Sequence, residues 1–187
     1  HGVAPVPEQM TAWKMPGGRL SRPALESRVS GALDKAFGPG AWLEGFCYAI
    51  ATERPSVLNW DAHADVRPLR DRLAHSGSPF RHAIEHPTRA LRSYTVAGLQ
   101  PQAVAAAHLE YVRRHGRALY RDEVTPTVMR ELYAKLEAPG MVSFDLDAVD
   151  QAFAPGVSAP ATGGFGIAPW LEFAFEAGRH PAVRSCD

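Results

Sequence analysis

The chain has 187 residues, 45% hydrophobic and 21% charged, enough to bury one substantial core in a single globular domain spanning 1–187. Its 20 basic residues balance its 20 acidic ones, so no global charge draws it to nucleic acid or to an anionic membrane, and partner choice must be read from a site. No apolar stretch approaches the roughly 20 residues of a membrane span, and "HGVAPVPEQM" has neither the basic start nor the apolar run of a signal peptide, which points to a cytoplasmic protein.

In chain order, the Pro- and Gly-rich residues 1–23 read as loop. Leu25, Val29 and Leu33, at helical spacing behind a capping Ser21, predict a helix over 22–37, and "AWLEGFCYAIATER" at 41–54 is a second helix candidate. "SVLNW" at 56–60 is a short buried strand and "YTVAGLQ" at 94–100 another. A helix is expected over 101–116, with Pro101 in its first turn and Gly116 at its end. "RALY" is a brief strand, 125–140 a helix opened by Thr125 and Pro126, and "MVSFDLD" at 141–147 a further strand. A helix over 166–180 and the strand-like "AVRSCD" complete the chain. Strands alternating with helices predict an open, mostly parallel sheet with helices on both faces, a three-layer α/β/α fold. In such sheets sites form beyond the carboxyl ends of the strands. Cys47 and Cys186 lie far apart without C-x-x-C spacing and are read as buried thiols rather than a disulfide or a zinc knuckle.

Chemistry concentrates at two strand ends. "DAHAD" carries Asp61, His63 and Asp65 at alternate positions behind the first strand, and an extended backbone would turn all three to one side. "SFDLDAVD" does the same with Asp145 and Asp147. A single Asp at such a place is ordinarily a turn or capping residue. Four carboxylates and an imidazole facing one crevice instead repel one another unless a cation neutralises them, and an oxygen-rich set with minority nitrogen suits Mn²⁺ better than a thiolate zinc site. No G-x-G-x-x-G follows a strand, which excludes the dinucleotide-binding fingerprint. His108, Arg113, Arg114 and His115 are explained by a solvated helix face.

"DAHAD" at 61–65 and "SFDLDAVDQAFAPGVSAPATGGF" at 143–165 resemble the two metal signatures of the arginase, agmatinase and formimidoylglutamase superfamily, the manganese ureohydrolases. "HSGSPFR" at 75–81 and "VAGLQP" at 96–101 look more like the formimidoylglutamase branch than arginase proper. The resemblance runs from about Trp42 to the last residue. It implies an arginase-like fold, two Mn²⁺ ions per subunit and a small-molecule substrate, and commonly a homotrimer or hexamer. Position by position it implies that Asp61 and Asp145 bridge the two ions, that His63 and Asp147 complete the protein ligands of one, and that Asp65 belongs to the other. A water activated between them would attack an amidine carbon, Asp65 would hold its proton, and His75 would shuttle it to the leaving nitrogen. As a plain sequence feature His75 is an ordinary loop histidine. Arg81 and Arg67 could pair with a substrate carboxylate, although a structural arginine explains each; Arg81 is the candidate taken forward. Asp150 reads as a loop-fixing residue.

Two departures from the pattern stand out. The family histidine expected in a Gly-rich motif before "DAHAD" is missing from "FGPGAWLEGF", and the strand that should carry it is not evident, so the ion relying on Asp61, Asp65 and Asp145 is expected to be weakly bound or absent. The sequence also stops at Asp187, before the family's last strands, so the domain is expected to be partial at both ends. The expected activity is metal-dependent hydrolysis of a linear amidine, N-formimidoyl-L-glutamate first, to L-glutamate and formamide, a step of histidine degradation. A guanidine hydrolase releasing urea and a non-catalytic arginase-like protein with a degenerate metal site are the alternatives.

Overall fold

The computed structural model describes residues 54–70 and 75–186. Apart from Arg54, the helices expected over 22–37 and 41–54 lie outside the described residues, as do "FGPGAWLEGF" and Cys47. Five strands form one sheet, β1 (Ser56–Trp60), β2 (Ser93–Leu99), β3 (Arg117–Tyr120), β4 (Gly140–Phe144) and β5 (Val183–Cys186), ordered β3-β2-β1-β4-β5. Every neighbouring pair is parallel. Between the strands run α1 (Pro79–Glu85), α2 (Ala106–His115), α3 (Pro126–Ala134) and α4 (Ile167–Arg179). No described helix is long and apolar enough to cross a membrane.

Period-two alternation divides each strand between two cores. Val57, Val96 and Met141 pack with Phe80 and Ala83 of α1 and Val112 of α2, whereas Leu58, Trp60, Ala97 and Val142 pack with Met129 and Tyr133 of α3 and Trp170 and Phe173 of α4. Both faces are therefore covered, which is why all five residues of β1 are buried and the strand reads as a continuous run rather than an alternating one. In the second core the Trp60 ring stacks on Phe173 at 4.3 Å between centroids, and its Nε1–H donates to the Tyr133 hydroxyl, which donates in turn to the Phe173 carbonyl.

The connections through α1 and α2 cover one face, and those through α3 and α4 cover the other. The chain thus leaves the carboxyl ends of β1 and β4, which are neighbours, towards opposite faces. The divergence opens a crevice between them, the place where doubly wound sheets put their sites.

Local differences from the sequence expectations have identifiable causes. The helix expected from Pro101 begins at Ala106, because residues 101–104 turn on the Gln100 carbonyl, which accepts from Ala103 and Val104, and Ala105 is extended. "HSGSPFR" contains a helix, α1, entered through Ser78 with Pro79 in its first turn, too short at 7 residues to show periodicity. Strand β4 stops at Phe144, so Asp145 and Asp147 lie beyond it on a single helical turn, Leu146–Ala148. Cys186 is exposed on β5 and not a buried thiol, because alternation on this edge strand turns Ser185 inward instead.

Candidate metal centre

Asp61 is the first residue past β1, and its amide donates to Ala97 O of β2 at 3.1 Å. Asp145 is the first residue past β4, and its amide donates to Trp60 O at 2.9 Å. Both carboxylates then accept from the amide two residues on, Asp61 Oδ1 from His63 at 2.7 Å and Asp145 Oδ1 from Asp147 at 3.0 Å. This is the local turn that aspartate side chains favour. Convergence therefore comes from matched bends and not from the extended alternation expected of "DAHAD". Asp65 completes the first bend with φ at 44°, in the left-handed region that few non-glycine residues enter. Gly98, at φ 113° in a bulge of β2, lets that strand approach closely: a Cβ there would lie 3.1 Å from Asp61 O and 2.8 Å from the Phe165 ring.

The five predicted acidic and imidazole residues meet in two overlapping groups. Donor atoms of Asp61, His63 and Asp147 lie within 4.8 Å of one another, and so do those of Asp61, Asp65 and Asp145. His63 Nδ1 is 2.9 Å from Asp147 Oδ2 and 3.5 Å from Asp61 Oδ1. The electrostatics follow from burial. Desolvation, with Asp145 and Asp147 nearby, pushes Asp61 up to about 6, although the His63 contacts oppose this. Desolvation and the charges of Asp61 and Asp145 push Asp65 up to about 8, and burial likewise raises Asp145. The hydrogen bonds His63 donates to Asp147 and then to Asp61 raise it to about 10, which favours its protonated form beside the acids.

The residues present fit a pair of divalent cations. Four carboxylates and one imidazole make a hard, oxygen-rich set of the kind that takes Mn²⁺. Three of the acids are held above their ordinary range by burial and by one another's charge, and Asp147 Oδ1 is buried without a hydrogen-bond partner among the described residues. Asp61, only 1% exposed, belongs to both groups, whereas His63 and Asp147 belong to one and Asp65 and Asp145 to the other.

A cavity of about 310 Å³ opens beside the cluster and is walled by His63, Asp65, Arg67, Gln102 and His108 among others. Arg67 and His108, set aside as solvated or structural on sequence grounds, are thus brought to the site. Arg67 reaches it because its amide donates to Gly77 O and its side chain lies across Gly77. Burial, then the charges of Arg67 and Arg81, lower the pKa of His108. The late start of α2 lets Gln102 line the cavity, a detail of the turn at 101–104 with no signature in the helical pattern. His75 is not part of the wall: its Nδ1 accepts from Gly77 N at 3.2 Å and its Nε2 lies 3.2 Å from Pro68 O. Arg81 stands behind it, 2.9 Å from Glu85 and stacked 4.3 Å over the Tyr111 ring. Asp150 fixes the following loop, accepting from the amides of Ala152 and Gly163. Gly164 has no room for a Cβ there, which would sit 2.5 Å from Asp150 N.

The chain is similar to several known proteins. The chain is 36% identical over 161 residues to formimidoylglutamase of Nocardia farcinica, covering 77% of this chain and 50% of that protein. It is 35% identical over 118 residues to proclavaminate amidinohydrolase of Streptomyces clavuligerus, covering 58% and 37%. It therefore spans half or less of the length of these curated relatives. A crystal structure of Trypanosoma cruzi formiminoglutamase with Mn²⁺ superposes with a TM-score of 0.72 at 28% identity, covering 88% of this chain and 61% of that one. The sequence pattern of the arginase family matches residues 42–187, so with its parallel sheet and paired strand-end acids the chain belongs to the arginase family.

Proposed function

We propose that this chain carries the two-metal centre of a hydrolase acting on a linear amidine, with N-formimidoyl-L-glutamate as substrate and L-glutamate and formamide as products. The observation that carries the reading is the sharing of buried Asp61 between two ligand groups at one crevice. Bound there, two Mn²⁺ ions would lower the pKa of a water and so supply a hydrolytic nucleophile at neutral pH. In this reading Asp61 and Asp145 would serve both ions, His63 and Asp147 would complete the set for one, and Asp65 would help to hold the other.

The chain's own groups then handle protons and orientation. Asp65, beside the ion it would help to hold, would accept the proton released by the attacking water. That proton must reach the leaving nitrogen as the C–N bond breaks. His75 is the proposed carrier, which requires its ring to exchange the Pro68 and Gly77 contacts for the cavity. A substrate that carries both a cationic amidine and carboxylates matches a cavity lined by both Asp65 and Arg67. Arg67 would meet a carboxylate directly, with Arg81 adding charge from behind. By resemblance the protein assembles as a trimer or hexamer in the cytoplasm, which light scattering and fractionation would examine.

Purified protein supplied with excess Mn²⁺ should release glutamate and formamide from N-formimidoyl-L-glutamate and little urea from agmatine or arginine. Urea from agmatine at comparable efficiency would move the substrate to the guanidines and leave the metal chemistry standing. Absence of both hydrolysis and bound Mn²⁺ would favour the non-catalytic alternative.

A further inference from the structure

Behind the metal cluster lies a layer of polar side chains that does not line the cavity. Asn59 of β1 is 1% exposed, yet Val57 on the same face is an ordinary apolar core residue. Its Nδ2 donates to Asp61 Oδ2 at 2.9 Å and to the Tyr94 hydroxyl at 3.4 Å. Tyr94, on β2 and also 1% exposed, donates its own hydrogen to Ala64 O at 2.9 Å. The amide has two hydrogens and the phenol one, so the direction of every bond is set: nitrogen towards both Asp61 and Tyr94, and Tyr94 onward to Ala64. Asn59 Oδ1 is left buried without a partner among the described residues, so the side chain is engaged through its donor end.

The bonds end on both halves of the cluster. Asp61 contributes to each ligand group. Ala64 O belongs to the peptide that enters Asp65, whose left-handed backbone is unfavourable and must be held. The next carbonyl, Asp65 O, accepts from Phe80 N at 3.3 Å, and the Phe80 ring stacks on Tyr94 at 4.7 Å. Asp65 is thus gripped on both flanking peptides, once by the Tyr94 hydroxyl and once by the helix on which Tyr94 packs.

We infer that Asn59 and Tyr94 are positioning residues for the metal centre, Asn59 orienting the carboxylate that serves both ions and Tyr94 holding the strained peptide that presents Asp65 to one of them. The inference rests on the two-metal reading above. It makes a prediction that ordinary core packing would not: one side chain affects a single ion and the other affects both. Tyr94 acts on the Asp65 group alone, and Asn59 acts on both.

Mn²⁺ binding should be measured by calorimetric titration, with bound metal counted, for the wild type, Tyr94→Phe, Asn59→Leu and Asp65→Ala. Tyr94→Phe keeps the ring stack and is expected to weaken the ion that Asp65→Ala also weakens, by about tenfold, the equivalent of one lost hydrogen bond, while sparing the other. Asn59→Leu should weaken both. Wild-type affinities in both variants would overturn the inference, as would equal weakening of the two ions in Tyr94→Phe. Should Tyr94→Phe not fold, Asn59→Leu decides alone, two weakened ions supporting the inference and none refuting it. A folded wild type that binds no Mn²⁺ would instead remove the two-metal reading itself, a separate and recognisable failure.

Discussion

The amide of Asp145 donates to the carbonyl of Trp60 across 2.9 Å. This bond extends the β1–β4 ladder one residue past the Trp60–Phe144 pairing and sets Asp145 beside Asp61. Parallel register thus brings together two acids that stand 84 positions apart in the chain (145 minus 61). Each then turns on its own carboxylate, so His63 and Asp147 swing to within 2.9 Å of each other.

Replacing Asp145 by Ala should remove metal-dependent hydrolysis without unfolding the protein. The side chain is only partly buried and caps a single turn, so its loss should cost about 0.5–2 kcal/mol of stability. Metal analysis beside a melting curve checks this: at least one Mn²⁺ should be lost from a folded protein. Turnover in a variant that still holds both ions would refute the bridging role.

Metal-free protein should lose stability as pH rises. Asp61 at about 6 and Asp65 at about 8 sit above their unfolded values, as does His63 at about 10, so the native state binds protons more tightly than the unfolded one. Their stabilising contribution is complete below about pH 4 for the acids and below about pH 6.5 for His63, and it fades as pH climbs through the raised values. Mn²⁺ displaces those protons, so its affinity should rise with pH, by up to about tenfold per unit for each proton released. Urea denaturation across pH, with and without Mn²⁺, measures both trends, and apo stability that climbs from pH 5 to 8 would contradict the assignment.

Gly98→Ala should destabilise the fold by about 1–3 kcal/mol through its positive φ alone, with more added because the new methyl meets Asp61 O and the Phe165 ring. Relief of the contact would push on the backbone of Asp61, so Mn²⁺ affinity should fall with stability. Chemical denaturation paired with metal titration would reveal either effect, and unchanged values for both would discount the close approach.

Tyr133→Phe separates the core from the site. It leaves the buried Trp60 indole N–H without its acceptor, a loss of about 1–3 kcal/mol. Mn²⁺ affinity should not change, because the hydroxyl lies across the sheet from the Asn59 layer. Weakened metal binding would show that the two faces are coupled.

Arg67→Ala should lower kcat/KM for N-formimidoyl-L-glutamate about thirtyfold, the loss of roughly 2 kcal/mol from one charge-assisted contact. Arg81→Ala should cost less, since Glu85 and Tyr111 already engage its guanidinium. The reverse order of effects would return Arg81 to the substrate pocket.

Much of this was legible in the residues themselves. Continuous apolar runs before "DAHAD" and "SFDLD" encode strands covered on both faces, since only those bury every side chain. Thr125 and Pro126 announce α3, and the Thr125 hydroxyl indeed accepts from Val128 N. The acids at strand ends followed from the same patterns, because local sequence determines where a strand stops and which residue comes next. Tertiary structure alone decided the rest. That β4 lies against β1, and that the connections leave those strands towards opposite faces, depends on pairings between distant segments that no window of sequence contains. The inward turn of Arg67 and His108, and the ties from Asn59 through Tyr94 to Ala64, depend on the same packing. Each of these residues looks like a solvated or core position until a neighbouring strand or loop arrives beside it.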